Sequence, residues 1–330
     1  MVRVMAKIYH GGGLDAAIAQ YGGACAEWLD LSTGINPNAY PVGNLAADIW
    51  QCLPDKNAEE ALMNAAYKYY QVPDGVEIVA APGTQAIIEL LPNLLNAKQV
   101  DILSPTYAEH AHCWEKVGAR VRPILHLESI TETDVLVAVN PNNPTTEVHA
   151  KETLCAAAER VEFMTVDEAF CDPMPELSIV PVLPDNAIVL KSFGKFFGLA
   201  GLRLGFAICN PTLAAKLRQR FGPWAVSGPA LAIGAQGFND TNWVAKMRIE
   251  LQTSSRTLAD VVERSGLEVC GVNPLFVYAK SEQAQALFRH LVTNHILVRQ
   301  FPEQSEYLRF GLCKDDEKLE RLEKVLKSYG

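Results

Sequence analysis

An α/β fold is predicted: a large domain with a mostly parallel central sheet flanked by helices, followed by a smaller α+β domain. Three observations carry the prediction. Short β-branched runs alternate with helical runs from about Glu77 onward. The chain has 330 residues, more than one ordinary core supports. A long helical pattern from Trp243 to Ser265, closed by Gly266, then separates the alternating part from a C-terminal remainder of different character.

In order, Val76 to Ala81 reads as a strand, Thr84 to Leu95 as a helix, Val100 to Leu103 as a strand, Tyr107 to Val117 as a helix and Val121 to Leu125 as a strand. Asp134 to Val139, Glu162 to Val166, Ala187 to Leu190 and Leu204 to Cys209 are further strands, with helices at Lys151 to Arg160 and Pro211 to Phe221. No internal repeat, low-complexity tract or loose linker interrupts them. The Gly-rich start, His10 to Gly13, reads as a flexible segment.

Hydrophobic residues at 49% and charged residues at 20% are globular values, and a net charge of -9 with no Lys/Arg run argues against a nucleic-acid partner. The N-terminus lacks an apolar core of signal-peptide length and no window approaches a membrane span, so a cytoplasmic, non-membrane protein is expected. Cys25, Cys52, Cys113, Cys155, Cys171, Cys209, Cys270 and Cys313 are scattered without a C-x-x-C pair and should be reduced thiols, mostly buried. His110 and His112 form an H-x-H pair inside a helical stretch, where the side chains diverge, so no metal site is expected.

The most informative stretch runs Ser192-Phe193-Gly194-Lys195-Phe196-Phe197-Gly198-Leu199-Ala200-Gly201-Leu202-Arg203-Leu204-Gly205, after a strand and with too much glycine for a helix. A lysine among apolar neighbours is partly desolvated, which lowers its pKa and frees the neutral amine to condense with an aldehyde. Ser192 and Arg203 offer a hydroxyl donor and a fixed cation of the kind a phosphate monoester needs. The S-x-x-K pattern of serine acyl-transfer enzymes and a fragment of a nucleotide P-loop also fit here. The rest of each motif is missing: no S-D-N or K-T-G follows, and Phe196 stands where Ser or Thr is required.

Three segments complete a constellation. Asp167 closes an apolar strand, where open α/β sheets gather ligands, and suits a pyridine nitrogen that must stay protonated. Asn143, between Pro141 and Pro144, can aim an amide donor at a cofactor oxygen. Pro82-Gly83-Thr84-Gln85 joins a strand to a helix whose first N–H groups can cradle a phosphate. Taken singly, each has a plainer reading: a loop lysine, a strand-end cap, any βα turn.

Taken together and in this order, these segments resemble the class I/II aminotransferase superfamily of pyridoxal 5'-phosphate (PLP) enzymes, fold type I. Within it, His10-Gly11-Gly12, Leu31-Ser32-Thr33-Gly34-Ile35-Asn36-Pro37, Ala81-Pro82-Gly83-Thr84-Gln85 and Asp167-Glu168-Ala169-Phe170 look most like the threonine-phosphate decarboxylases, near relatives of the histidinol-phosphate aminotransferases. The resemblance implies Lys195 as the catalytic lysine that carries PLP as a Schiff base and Asp167 as the acid at the pyridine nitrogen. It places Asn143 at the 3'-oxygen, Tyr107 on the pyridine face, and Gly83, Thr84, Gln85, Ser192 and Arg203 around the phosphate. For substrate it implies His10, Gly11, Gly34, Asn143, Arg299 and Arg309, with Arg309 clamping the α-carboxylate.

The same resemblance implies three segments: 1–40 as an N-terminal arm serving the small domain and the active site, 41–242 as the PLP-binding domain and 243–330 as the small C-terminal domain. It implies a homodimer and a small phosphorylated amino-acid substrate. The activity implied is decarboxylation of L-threonine O-3-phosphate in cobalamin biosynthesis, against a histidinol-phosphate aminotransferase or a non-catalytic PLP-binding regulator or scaffold. Two departures weaken ordinary transamination: Phe170 stands where many aminotransferases have Tyr, and Leu53-Pro54-Asp55 where they commonly have Tyr-Pro-Asp.

Overall fold

The alternating runs fold into one seven-stranded sheet, and strands from the two ends of the chain build a second, five-stranded one. The structure, a computed structural model, describes residues 11–329. Its strands are β1 (Leu29–Leu31), β2 (Glu77–Ala81), β3 (Gln99–Leu103), β4 (Arg120–Ile124), β5 (Val135–Val139), β6 (Phe163–Asp167), β7 (Ala187–Ser192), β8 (Gly205–Cys209), β9 (Glu268–Asn273), β10 (Phe276–Lys280), β11 (Ile296–Gln300) and β12 (Tyr307–Gly311). The chain divides into two units, residues 38–249 and residues 11–37 with 250–329.

In the first unit seven strands are ordered β2-β8-β7-β6-β5-β3-β4. The pairs β3/β4, β3/β5, β5/β6 and β6/β7 are parallel, and β8 alone runs against its neighbours β2 and β7. Every residue of β5 and of β8 is buried, as expected of central strands covered on both faces. Helix Thr84–Leu95 lays Ile87, Ile88 and Leu91 against Val79, Ile188, Leu190 and Ala207, with Leu213 and Leu217 of helix Pro211–Phe221 in the same cluster. Each such Leu or Ile side chain stabilises the unit by about 1.5–3 kcal/mol relative to exposure. Helix Pro211–Phe221 starts where Asn210 accepts the N–H of Leu213 and Pro211 needs no donor.

Two local differences from the sequence reading have physical causes. The strand ending in Lys195's segment runs on to Ser192, because Lys191 pairs with Phe206 and Ser192 with Gly205. The segment after it is not wholly irregular: Phe193–Phe196 is a short helix. Glycine is needed in this turn for space, since a Cβ on Gly194 would stand 2.7 Å from the Ala200 Cα.

The second unit carries a sheet ordered β1-β11-β12-β10-β9, with β1 and β11 parallel and the remaining pairs antiparallel. Helix Ala284–Thr293 buries Leu287, Phe288, Leu291 and Val292, and helix Asp316–Lys327 begins where Asp315 accepts the Lys318 N–H. The helix Thr241–Arg264 ends before Gly266, whose φ of +86° suits glycine. All eight cysteines are free thiols, but only Cys113, Cys171 and Cys209 are buried, so the expectation of mostly buried thiols fails. Cys25, Cys52 and Cys270 are exposed, on a short 3-10 helix, a bend and an edge strand. Among the described residues no helix is long and apolar enough to cross a membrane.

Candidate active site

Parallel strands deliver their carboxyl ends to one rim, and the candidate cofactor residues of the first unit lie there. Gly83 and Thr84 follow β2, Tyr107 follows β3, Asn143 follows β5, Asp167 ends β6 and Lys195 follows β7. Because β8 is reversed, its amino end lies at the same rim, with Ser192 opposite Gly205 and Ala81 opposite Gly205. Arg203 therefore arrives two residues before the point where both neighbours end.

Lys195 is half-buried, flanked by fully buried Phe193, Phe196 and Phe197, and its Nζ lies 5.4 Å from the centroid of the Phe170 ring. The Phe170 ring offers the amine a π face and no hydroxyl.

Asp167 is 4% exposed, and its backbone pairs with Val139 on one side and Leu190 on the other. One carboxylate oxygen, Oδ1, accepts the Ala169 N–H at 3.0 Å; the other, Oδ2, lies 3.0 Å from Nε2 of buried His110. A buried carboxylate is tolerable only when hydrogen-bonded, and these two contacts aim it along the rim. His110 is the site residue that sequence reasoning missed. Its H-x-H pairing drew attention to metal, whereas the helical divergence of His110 from His112 is what lets His110 face Asp167 alone.

Next to Asp167, Glu168 is fully buried and meets Lys191 Nζ at 2.5 Å. Glu168 also accepts the Ser178 hydroxyl at 2.5 Å and the Ile179 N–H at 2.8 Å, while Lys191 Nζ reaches Ser178 Oγ at 3.2 Å. Asp172 lies 4.0 Å from the same ammonium, and burial pushes its carboxyl up to about 6 despite the opposing effect of Lys191. Lys191 is held charged by Glu168 and Asp172 against its own burial.

The turn after β2 has the form of an anion cradle. Gly83 has φ +85°, and a Cβ there would stand 2.7 Å from Nη2 of Arg203, so glycine is required both for the backbone and for the approach of the guanidinium. A Cβ on Gly205 would stand 2.6 Å from the Thr84 N, bringing β8 equally close to the helix start. Arg203 itself is exposed and takes the left-handed conformation at φ +53°, a conformation that costs a non-glycine residue energy and is found at functional sites. Helix N–H groups, a threonine, a serine and this arginine on glycine-cleared ground fit a phosphate monoester such as that of PLP.

Tyr107 precedes helix Glu109–Lys116 instead of opening it, as the sequence reading had it, so its side chain leaves from a turn. Asn142 ties this turn to the one after β5, donating to Pro105 O at 2.8 Å and accepting the Thr106 hydroxyl at 2.7 Å. It thereby fixes the backbone of its half-buried neighbour Asn143.

In the second unit Arg309 on β12 lies opposite Arg299 on β11. Arg309 is 6% exposed and donates to the Ser32 carbonyl at 2.8 Å; its guanidinium also lies over the Phe276 ring, 5.0 Å from the centroid. Burial first, then the charge of Arg299, pull its pKa down to about 9. Two like charges directly opposite each other across a ladder are unfavourable. Gly34 is buried beside Thr33, and Gly11 packs so closely that a Cβ would stand 2.4 Å from Ser32 O. His10 lies outside the described residues.

Residues 49–326 match the model of the family described as aminotransferase class I and II. A threonine-phosphate decarboxylase of Sinorhizobium sp is 40% identical over 319 residues, covering 94% of this chain and 95% of that one. One of Pseudomonas aeruginosa is 38% identical over 329 residues, covering 97% of each chain. The solved histidinol-phosphate aminotransferase of Sinorhizobium meliloti, in complex with pyridoxal-5'-phosphate, superposes with a TM-score of 0.80 at 19% identity, covering 100% of this chain and 99% of that one.

Proposed function

The chain belongs to the class I and II aminotransferase family of PLP-dependent enzymes, and on that premise we propose that it decarboxylates L-threonine O-3-phosphate to (R)-1-amino-2-propanol O-2-phosphate and CO2, a reaction of cobalamin biosynthesis. The observation that carries the specific reading is similarity over nearly the whole chain, at 40% and 38% identity, to two threonine-phosphate decarboxylases. The paired arginines support it, because the substrate carries a carboxylate and a phosphate at once.

PLP, when bound, supplies the electron sink for the bond broken at the substrate's α-carbon. The protein's own residues do the rest. Lys195 Nζ would anchor the cofactor, and Lys195 or a water would return the proton that replaces CO2. Asp167, oriented by His110 and the Ala169 N–H, would face the pyridine nitrogen and help it hold a proton. Gly83, Thr84, Gln85, Ser192 and Arg203 bind the cofactor phosphate, Asn143 donates to the 3'-oxygen, and Tyr107 covers the ring. Arg309 grips the substrate carboxylate, Arg299 serves its phosphate with His10 and Gly11, and Gly34 leaves room at the carboxylate. Which of the substrate's bonds breaks depends on which is held perpendicular to the ring.

We also propose a homodimer. Trp50, Leu53 and Trp224 are each more than half exposed, and Trp224 belongs to a cleft of about 480 Å3 lined by Pro54, Met63, Phe221 and Leu231. Large apolar surface of this kind marks an interface.

The test is to supply purified holoenzyme with threonine phosphate. CO2 released stoichiometrically with no need for 2-oxoglutarate supports the proposal. Glutamate-dependent turnover of imidazole-acetol phosphate instead would replace it with histidinol-phosphate aminotransferase activity, and absence of any turnover with a bound chromophore would make the chain a PLP-binding regulator.

A further inference from the structure

Three side chains between the start of helix Thr84–Leu95 and the start of helix Glu109–Lys116 form a hydrogen-bond chain whose direction is set at one end. The Tyr107 hydroxyl donates to Oε1 of Gln85 at 3.2 Å, and Nε2 of Gln85 donates to Oε2 of Glu109 at 2.9 Å. A carboxylate only accepts, so Glu109 obliges Gln85 to turn its NH2 inward and its carbonyl toward Tyr107. The phenol has one proton, and Gln85 takes it. What the phenol oxygen retains for the rim is acceptor capacity alone.

The anchor is well founded. Glu109 is 9% exposed and stands in the first turn of its helix, where the helix dipole favours a negative charge. Burial, followed by the charges of Glu109 and Asp167, raises the pKa of Tyr107, so the phenol stays protonated. The Tyr107 ring meets the edge of His110 at a centroid distance of 6.0 Å and 86°, which places the chain beside the residue that holds Asp167.

We propose that Glu109 is a positioning residue that acts through Gln85: it commits the Tyr107 proton to the protein, so that Tyr107 meets the bound ring and substrate as a hydrogen-bond acceptor and never as a proton donor. The proposal rests on the PLP-enzyme reading above. It leaves the proton at the α-carbon to Lys195 or a water, and it predicts that reversing the chain loosens Tyr107 over the ring.

The experiment compares wild-type holoenzyme with Glu109→Gln, Tyr107→Phe and the double variant. It records PLP dissociation constant, the pH titration of the visible band of bound PLP, kcat and KM. Glu109→Gln keeps the shape of the side chain but lets the Gln85 amide turn over. Its loss of kcat should be about tenfold, the loss expected for one charge-assisted hydrogen bond, with PLP bound more weakly and KM nearly unchanged. In the Tyr107→Phe background the same substitution should do nothing further, because the group it acts through is gone. Effects of the two substitutions that simply add, or a Glu109→Gln enzyme identical to wild type in kcat and PLP affinity, overturn the proposal. Should Glu109→Gln fail to fold, Gln85→Leu takes its place: a defect absorbed by Tyr107→Phe supports the chain, and an additive one overturns it. A wild-type protein without a visible PLP band would instead defeat the underlying reading, a result distinct from either.

Discussion

Replacing Lys191 by methionine should be among the most damaging single changes in the first unit, and the damage should be repairable. Methionine matches the length of the lysine stem but removes the ammonium 2.5 Å from Glu168 Oε2. Glu168 would keep the Ser178 hydroxyl and the Ile179 N–H but lose its counter-charge while fully buried. Breaking a buried pair from one side costs about 3–5 kcal/mol, so Lys191→Met should lower the unfolding free energy by that amount. Lys191→Met with Glu168→Gln removes both charges. The glutamine carbonyl can still accept from Ile179 and its amide can donate to Ser178, so the double variant should return to within about 1–2 kcal/mol of wild type. Urea denaturation of the apo-protein measures all four corners of the cycle, the m-value showing whether the transition stays the same. A double variant no more stable than Lys191→Met, or a single variant within experimental error of wild type, would mean that this network does not bear on stability as its geometry requires. Because Glu168 follows Asp167 directly, bound PLP should also titrate differently in Lys191→Met.

Other outcomes follow from the same structure. Asp172 has a folded pKa of about 6 against the ordinary 3.8, so the folded state holds its proton more tightly and the aspartate weakens the fold as pH rises from about 4 through 6; Asp172→Asn should abolish that segment of the stability–pH curve. Arg309 is shifted the other way for a base, to about 9, so the cost of its buried charge is present in full below that pH and relieved above it; Arg309→Met should stabilise substrate-free protein by about 1–4 kcal/mol at pH 7 in urea melts while eliminating turnover. Gly83→Ala meets both the positive φ and the Arg203 guanidinium at 2.7 Å and should cost about 1–3 kcal/mol, seen as weaker PLP binding in equilibrium dialysis. Removing the His110 contact with His110→Phe should weaken the grip of Asp167 on the pyridinium and lower kcat by about 10-fold or more with little change in KM.

What could be read from the chain alone was what lies within one strand, helix or turn. Helix Thr84–Leu95 has the bounds its periodicity predicts, and helix Pro211–Phe221 starts and stops at its proline and before its glycine. Asp167 was visible because an acid at the end of an apolar run has few packing reasons to be there. Lys191 was not, because a lysine after Ala187 to Leu190 looks like the end of the strand; only its partner Glu168, one residue past the end of the neighbouring β6, makes it an interior residue. His110 needed the same kind of cross-strand knowledge, and the Arg299–Arg309 pairing depends on a hairpin register that no local pattern specifies.

The reversed strand β8 has a consequence for how such a chain can diversify. Since β7 leaves the rim and β8 re-enters at it, the stretch from Ser192 to Gly205 is a loop tied down at both ends on a single edge, and its amine and its guanidinium share one tether. A crossover to a parallel neighbour would have separated them by a trip to the far edge and back. Any insertion or deletion between these ties has to be absorbed inside the loop itself, between a Ser192 and a Gly205 fixed opposite each other, where the amine and the guanidinium both lie.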